Sequence, residues 1–75
     1  MTYGEKAVGL SFNPGGNEDV HVMKKHFAMI IDIMAELRST ASQAGNGEQA
    51  RLASIAITEA QTAQMWAVKA LTWKD

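Results

Sequence analysis

The sequence has no cysteine, one proline, few aromatic residues and no excess of either charge, with a net charge of −1 over 75 residues. Without cysteine the chain has no disulfide, thiol nucleophile or cysteine-ligated zinc site, which fits a reducing cytoplasm. Near-neutral charge argues against a broad polynucleotide-binding surface, which needs clustered lysine and arginine. No apolar run is long enough to span a bilayer or form a signal-peptide core. We therefore expect neither polynucleotide nor membrane as a partner.

The middle of the chain has the apolar periodicity of a long helix. Gly15 and Gly16 favour a turn, and Asn17 is a good helix N-cap. The apolar residues that follow recur every three or four positions, which predicts packing against another helix at a shallow angle. They are Val20, Met23, Phe27, Ile30, Met34 and Leu37.

The rest of the chain completes a helical hairpin. Gly45-Asn46-Gly47 favours a chain reversal, after which the sequence is again helical. The sequence predicts one all-α domain over residues 1–75. We expect an N-terminal loop or short helix at 1–16, a first long helix at 17–39, a loop at 40–47 and a second long helix at 48–72. The two long helices would be antiparallel, and no strand pattern competes with them.

The second helix carries two apolar faces. The wider face contains Leu52, Ile55, Ala56, Ala60, Ala63, Trp66, Ala67, Ala70 and Leu71, and the narrower one contains Ala53, Ile57, Met65 and Val68 beside Gln61 and Gln64. A two-helix hairpin covers one face, and so small a domain is marginally stable alone. We therefore expect a helical homo-oligomer with a binding site between chains.

The sequence offers no persuasive catalytic or metal-binding set. Glu18 and His21 have the spacing of a helical di-iron motif, but such a site needs further ligands, and a solvated first turn explains the pair better. His26, beside Lys25, reads as a surface or interface residue. No nucleophile elbow or phosphate-binding loop is present. We expect no catalytic residue, no metal and no cofactor.

Aromatic residues are candidates for stacking on a ligand. Trp66 and Trp73 lie seven residues apart on one side of the second helix, and core packing is their first interpretation. Phe12 lies on the irregular N-terminal segment, outside any helical periodicity. Its ring either stacks on a base or fixes the loop onto the helix pair.

Basic residues are candidates for contacting an anion. With Val20 at heptad position a, Lys24 falls at e, beside the apolar row, and Lys25 falls at f, facing solvent. Lys24 is thus the better candidate for a charge at an interface. Arg51, at the start of the second helix, has a guanidinium suited to paired hydrogen bonds with phosphate.

Three segments carry a family resemblance: GEKAVGLSFNPGG at 4–16, VMKK at 22–25, and above all RLASIAITEAQTAQMWAVKALTW at 51–73. Together they resemble the phage cyclic-oligonucleotide sponge family that defeats CBASS immunity. The resemblance implies a small helical hexamer, encoded by a phage, that binds cyclic dinucleotides between protomers and sequesters them without cleavage. Cyclic trinucleotides would bind in separate pockets. The protein would act in the cytoplasm of the infected bacterial host and block activation of CBASS effectors.

The resemblance also implies site residues. An aromatic residue of the N-terminal loop stacks on a base, which falls here on Phe12, and the adjacent Asn13 and Pro14 are expected to bind the dinucleotide with it. A lysine of the first long helix contacts phosphate, which falls on Lys24 or the adjacent Lys25. The family's aromatic residue is tyrosine, so Phe12 keeps the stacking and lacks the hydroxyl. For trinucleotides the candidates are Arg51, Ser54 and Thr58.

Two other functions are compatible with the helical hairpin. A small adaptor would bind a host protein through the second apolar face. A phosphodiesterase would degrade the messenger, but it needs a metal or base constellation that the sequence does not supply.

Overall fold

The computed structural model describes residues 1–74, and that range contains three helices and no strand. They are α1 (Tyr3–Ala7), α2 (Glu18–Gln43) and α3 (Gly47–Thr72). Helices α2 and α3 form the hairpin, and α1 packs on α2. The predicted all-α helical hairpin is confirmed. No helix within the described range is long and apolar enough to cross a membrane.

The turn between the long helices is shorter than the predicted loop at 40–47. Helix α2 runs to Gln43, beyond its predicted end at 39, and α3 begins one residue before its predicted start at 48. Ala41 explains the extension, because it is buried where the hairpin closes. Gly45 then takes a left-handed φ of 75°, which ends the helix. Asn46 starts the next one by accepting a hydrogen bond from the Gln49 N–H at 3.1 Å.

The face of α2 that packs inside the chain is rotated from the predicted row. Its buried residues are Val20, Lys24, Ala28, Ile31 and Ala41. Of the predicted row, Val20 is buried and Phe27 and Met34 flank the core, but Ile30 is largely exposed. The predicted row is therefore part of the intrachain contact through Val20, Phe27 and Met34, and Ile30 lies outside it. The small side chain of Ala28 permits the close packing that the actual face makes.

Helix α3 divides its two apolar faces broadly as the sequence predicts for a single hairpin, except that Met65 of the narrower face is exposed and Ala60 of the wider face packs against the core. Ala53 and Ile57, on the narrower face, are buried against α2. Leu52, Ile55 and Trp66, on the wider face, are largely exposed. Helix α2 adds an exposed apolar set of its own, Val22, Met29, Ile30 and Ile33. Both long helices thus present uncovered apolar surface, which is the feature that soluble monomers usually lack.

The short helix α1 is fixed to α2 by its backbone. Its first turn is closed by a capping box between Thr2 and Glu5. The Gly4 N–H donates to the Asp32 carboxylate at 2.7 Å. A methyl group at Gly4 would overlap the carbonyl of Ala28, so only glycine allows this approach. The result is a fixed starting point for the loop that follows, which leads to the site.

Candidate functional site

A cavity of about 580 Å³ lies where the N-terminal loop meets the start of α2 and the end of α3. The loop contributes Phe12, Asn13, Pro14, Gly15 and Asn17; α2 contributes Val20 and Lys24; α3 and the residues after it contribute Gln64, Met65, Val68, Leu71, Thr72, Trp73 and Lys74. The volume is typical of small-molecule sites, which range from about 300 to 1,000 Å³. All three parts of the chain are thus needed to form it.

Asn13 and Asn17 set the shape of the loop. The Asn13 side chain donates to the Asn17 carbonyl at 2.8 Å and accepts from the Asn17 N–H at 3.2 Å. The Asn17 side chain in turn accepts from the Val20 N–H and caps α2. Gly16, between them, has a φ of 61°, which favours glycine. Asn13 is therefore committed to holding the loop.

Lys24 is the chemically unusual residue of the cavity. Its side chain is only 6 % exposed, and its ammonium donates to the carbonyls of Gly9 at 2.9 Å and Phe12 at 2.6 Å. The Phe12 N–H also donates to the Gly9 carbonyl at 2.9 Å, so the ammonium closes a turn. An ammonium has three N–H donors, and these two bonds leave one. Lys24 therefore orders the loop and retains a donor on the cavity wall.

The positive charge of Lys24 has no carboxylate partner among the described residues. Within residues 1–74, the side-chain ion pair joins Arg51 to Glu48 at the start of α3, away from the cavity. Buried charges are normally paired, because neutral carbonyls do not offset the loss of hydration fully. A small anion entering the cavity would supply the missing negative charge. The electrostatics of the cavity thus favour an anionic ligand.

Phe12 presents its ring to this cavity from the loop. The side chain is 64 % exposed, and the Lys24 ammonium lies 5.7 Å from the ring centre. An exposed ring contributes little to the core, so the loop displays the aromatic face and Lys24 holds the loop in place. The structure brings Phe12, Asn13, Pro14 and Lys24 to one cavity. It does not bring Lys25 there, because Lys25 is exposed and absent from the lining.

The three residues expected to bind trinucleotides lie along another part of α3. Arg51 is exposed and donates from Nη2 to Glu48 at 2.7 Å and from Nε at 3.1 Å. This hydrogen bonding raises the pKa of Arg51 above its ordinary value. Ser54 accepts from Arg38 at 3.4 Å, and Thr58 donates to the Ser54 carbonyl at 3.3 Å. None of Arg51, Ser54 and Thr58 lines the cavity, so the two candidate sets are spatially separate.

Several cavity residues were missed from the sequence. Gln64 is buried on the α3 wall, and Trp73 and Lys74 stand at the edge. The expectation that Trp66 and Trp73 pack in a core is wrong for the single chain, because both are largely exposed. The Lys69 ammonium lies between them, 5.4 Å and 5.8 Å from the two ring centres. The position of Gln64, seven residues after Ile57 and so on the same face of α3, is the sequence feature that indicates its burial.

The acidic and histidine side chains are dispersed. In residues 1–74 no group of three or more histidine, aspartate or glutamate side chains comes together that could hold a metal ion. Glu18 is exposed at the first turn of α2. His26 donates from Nδ1 to the Val22 carbonyl at 2.8 Å on its own helix.

The fold is a small helical hairpin, and its cavity carries a cation and an aromatic ring. The family model for the Acb2/Tad1 hairpin domain matches residues 5–72. The chain therefore belongs to the Acb2/Tad1 family, the anti-CBASS sponges, and the resemblance seen in the sequence is confirmed. This family consists of sponge-type binding proteins for cyclic oligonucleotides with a phage anti-defence role, and it is not a known enzyme family. No curated protein and no solved structure matches the chain.

Proposed function

We propose that this protein is a phage-encoded sponge that binds cyclic dinucleotide second messengers without cleaving them, so that CBASS effectors are not activated. The observation that carries the proposal is the buried Lys24 ammonium beside the exposed Phe12 ring. A cyclic dinucleotide has two phosphates and two bases, and the cation and ring match one of each. The protein would act in the cytoplasm of the infected bacterial host.

Each group of the cavity has a distinct role in this proposal. Phe12 stacks on a base, Lys24 donates its remaining N–H to a phosphate oxygen, and Asn13 and Pro14 hold the loop that carries the ring. The cavity is open to solvent, and the ligand has two bases and two phosphates. Two chains would therefore each offer one ring and one cation. Sequestration requires no general acid or base.

We place the cavity in a homo-oligomer, a hexamer by family resemblance. The uncovered apolar faces of α2 and α3 support association, since the hairpin is only one helix thick, with extents of 48 × 24 × 13 Å. Cyclic trinucleotides would bind separately at Arg51, Ser54 and Thr58. Arg51 suits this role because an exposed guanidinium can exchange Glu48 for a phosphate.

Native mass spectrometry of the purified protein with and without 3′,3′-cyclic GMP-AMP tests the proposal. We expect a hexamer in both samples and, with ligand, a mass increase equal to whole numbers of intact nucleotide. A ligand-derived mass that matches a linear hydrolysis product would contradict sequestration.

A second candidate function is a helical adaptor that binds a host protein. The observation that favours it is the same exposed apolar surface, including Ile33 and Trp66. An adaptor predicts a ligand-free monomer or dimer whose apolar face stays open, whereas the sponge predicts a self-complete hexamer. The ligand-free spectrum therefore separates the two.

A further inference from the structure

Gln64 is a buried polar residue on the α3 wall of the cavity. Its side chain is 7 % exposed. Nearby polar side chains of α3 bond to their own helix, as Gln61 does to the Ile57 carbonyl at 3.4 Å and Thr62 to the Thr58 carbonyl at 3.2 Å. The Gln64 carboxamide makes no such bond within residues 1–74. In that range every side-chain polar atom that is fully enclosed has a hydrogen-bond partner. Its amide atoms therefore keep some exposure, and the residue lines the cavity.

The surroundings of Gln64 are otherwise apolar, so packing alone does not require an amide there. Val20, Met65, Val68 and Leu71 line the cavity with it, and leucine would fill the same position without burying polar atoms. Because the amide atoms keep some exposure, water can bond to them in the free protein, and a ligand that fills the cavity has to replace those bonds. A ligand that offers matched polar atoms would replace them.

Several other polar side chains of the lining already make hydrogen bonds within the chain. Asn13 bonds to Asn17 in both directions, and Asn17 caps α2. Thr72 donates to the Val68 carbonyl at 2.7 Å, and Lys24 has one donor left. Gln64 differs from these because its carboxamide makes no hydrogen bond among the described residues, which leaves its donors and its acceptor for a bound molecule.

The Phe12 ring and the Lys24 ammonium do not distinguish one base from another. Stacking on Phe12 tolerates any base, and Lys24 contacts a phosphate whatever base it carries. A carboxamide, in contrast, pairs well with adenine, because its oxygen accepts from the N6 amino group while its NH₂ donates to N7. Gln64 can therefore supply a base preference that stacking and charge do not.

We propose that Gln64 is the specificity-determining residue of this cavity and that it reads the N6/N7 edge of an adenine in the bound cyclic dinucleotide. The inference rests on the proposed function, because it assumes a cyclic dinucleotide in the cavity. It adds a base preference, which neither Phe12 nor Lys24 supplies.

Calorimetric titration of wild type, Gln64→Leu and Gln61→Leu with 3′,3′-cyclic di-AMP and with 3′,3′-cyclic di-GMP tests the inference. Wild type should bind cyclic di-AMP more tightly. Gln64→Leu should lose at least about fivefold in affinity for cyclic di-AMP and stay within about twofold for cyclic di-GMP. Gln61→Leu is the matched control on the same helix, outside the lining, and should keep the wild-type preference.

The outcomes separate the inference from the proposed function. If wild type binds neither nucleotide, both are overturned. If wild type binds and Gln64→Leu weakens both ligands equally, or neither, the inference alone is overturned. Thermal unfolding guards against a structural role: Gln64→Leu should unfold no earlier than wild type, because its amide has no partner to lose. A clear decrease in its unfolding temperature would likewise overturn the inference.

Discussion

The ammonium nitrogen of Lys24 lies 2.6 Å from the carbonyl oxygen of Phe12 and 5.7 Å from the centre of the Phe12 ring. One side chain of α2 thus holds the backbone of the loop and stands beside the ring that the loop displays. The positions of the ring and of the charge are therefore coupled. A ligand that needs a surface for base stacking and a hydrogen-bond donor for its phosphate finds both at a fixed separation.

Replacing Lys24 tests the role of the charge. Lys24→Met keeps most of the aliphatic stem and removes the ammonium, so the affinity for 3′,3′-cyclic GMP-AMP should decrease at least tenfold, or about 1.4 kcal/mol. Lys25→Met is the matched control, because Lys25 is exposed and away from the cavity. Calorimetry measures both. A similar loss in the two variants would show that nonspecific charge, and not Lys24, attracts the ligand.

Replacing Phe12 separates stacking from loop fixation. Phe12→Ala should weaken dinucleotide binding by about 1 to 3 kcal/mol, the usual contribution of a stacked base, while the unfolding temperature stays near that of wild type because the ring is exposed. Phe12→Tyr should retain binding. Titration and thermal unfolding of the same samples decide the matter, and a large decrease in stability with unchanged affinity would make Phe12 a structural residue.

Arg51 and Glu48 offer a paired test of the trinucleotide site. Arg51→Ala should weaken cyclic tri-AMP binding at least tenfold and leave dinucleotide affinity unchanged, because Arg51 does not line the cavity. Glu48→Gln should keep or strengthen trinucleotide binding, since it removes the carboxylate that occupies the guanidinium. Competition titrations with both ligand classes measure this. Equal losses for both classes in Arg51→Ala would mean that the two sites are one.

Gly4 tests whether the docking of α1 stabilises the fold. Gly4→Ala places a methyl group against the Ala28 carbonyl and should lower the free energy of unfolding by about 1 to 3 kcal/mol. Gly47→Ala is the control, because nothing lies within 4 Å of its Cβ position. Urea unfolding followed by circular dichroism compares them. Equal stability of the two variants would show that α1 does not depend on this approach.

Helical periodicity and capping residues were sufficient to predict the hairpin. Asn17 and Asn46 act as N-caps where the sequence places them. The small polar residues before Gly45 have low helix propensity, so the sequence predicts a loop there. The burial of Ala41, a tertiary contact, extends α2 through it. Local propensity cannot contain that information.

The candidate site was only partly predictable. The heptad position places Lys24 beside the apolar row, but periodicity does not reveal that Gly9 and Phe12 turn their carbonyls toward it. Those contacts depend on how the irregular loop folds back over α2. The sequence does not single out Gln64, because one polar residue on an apolar face is indistinguishable, in sequence, from a helix edge. The cavity beside it appears only when the loop and both helices are placed together.

Calorimetric titration with 3′,3′-cyclic GMP-AMP, followed by heating the complex and assaying the released nucleotide, tests the sponge function most directly. We predict tight binding at about one ligand per two chains, because each chain offers one ring and one cation to a ligand with two bases and two phosphates. We also predict recovery of intact nucleotide. Absence of binding heat together with absence of thermal stabilisation, or recovery of a cleaved nucleotide, would contradict it.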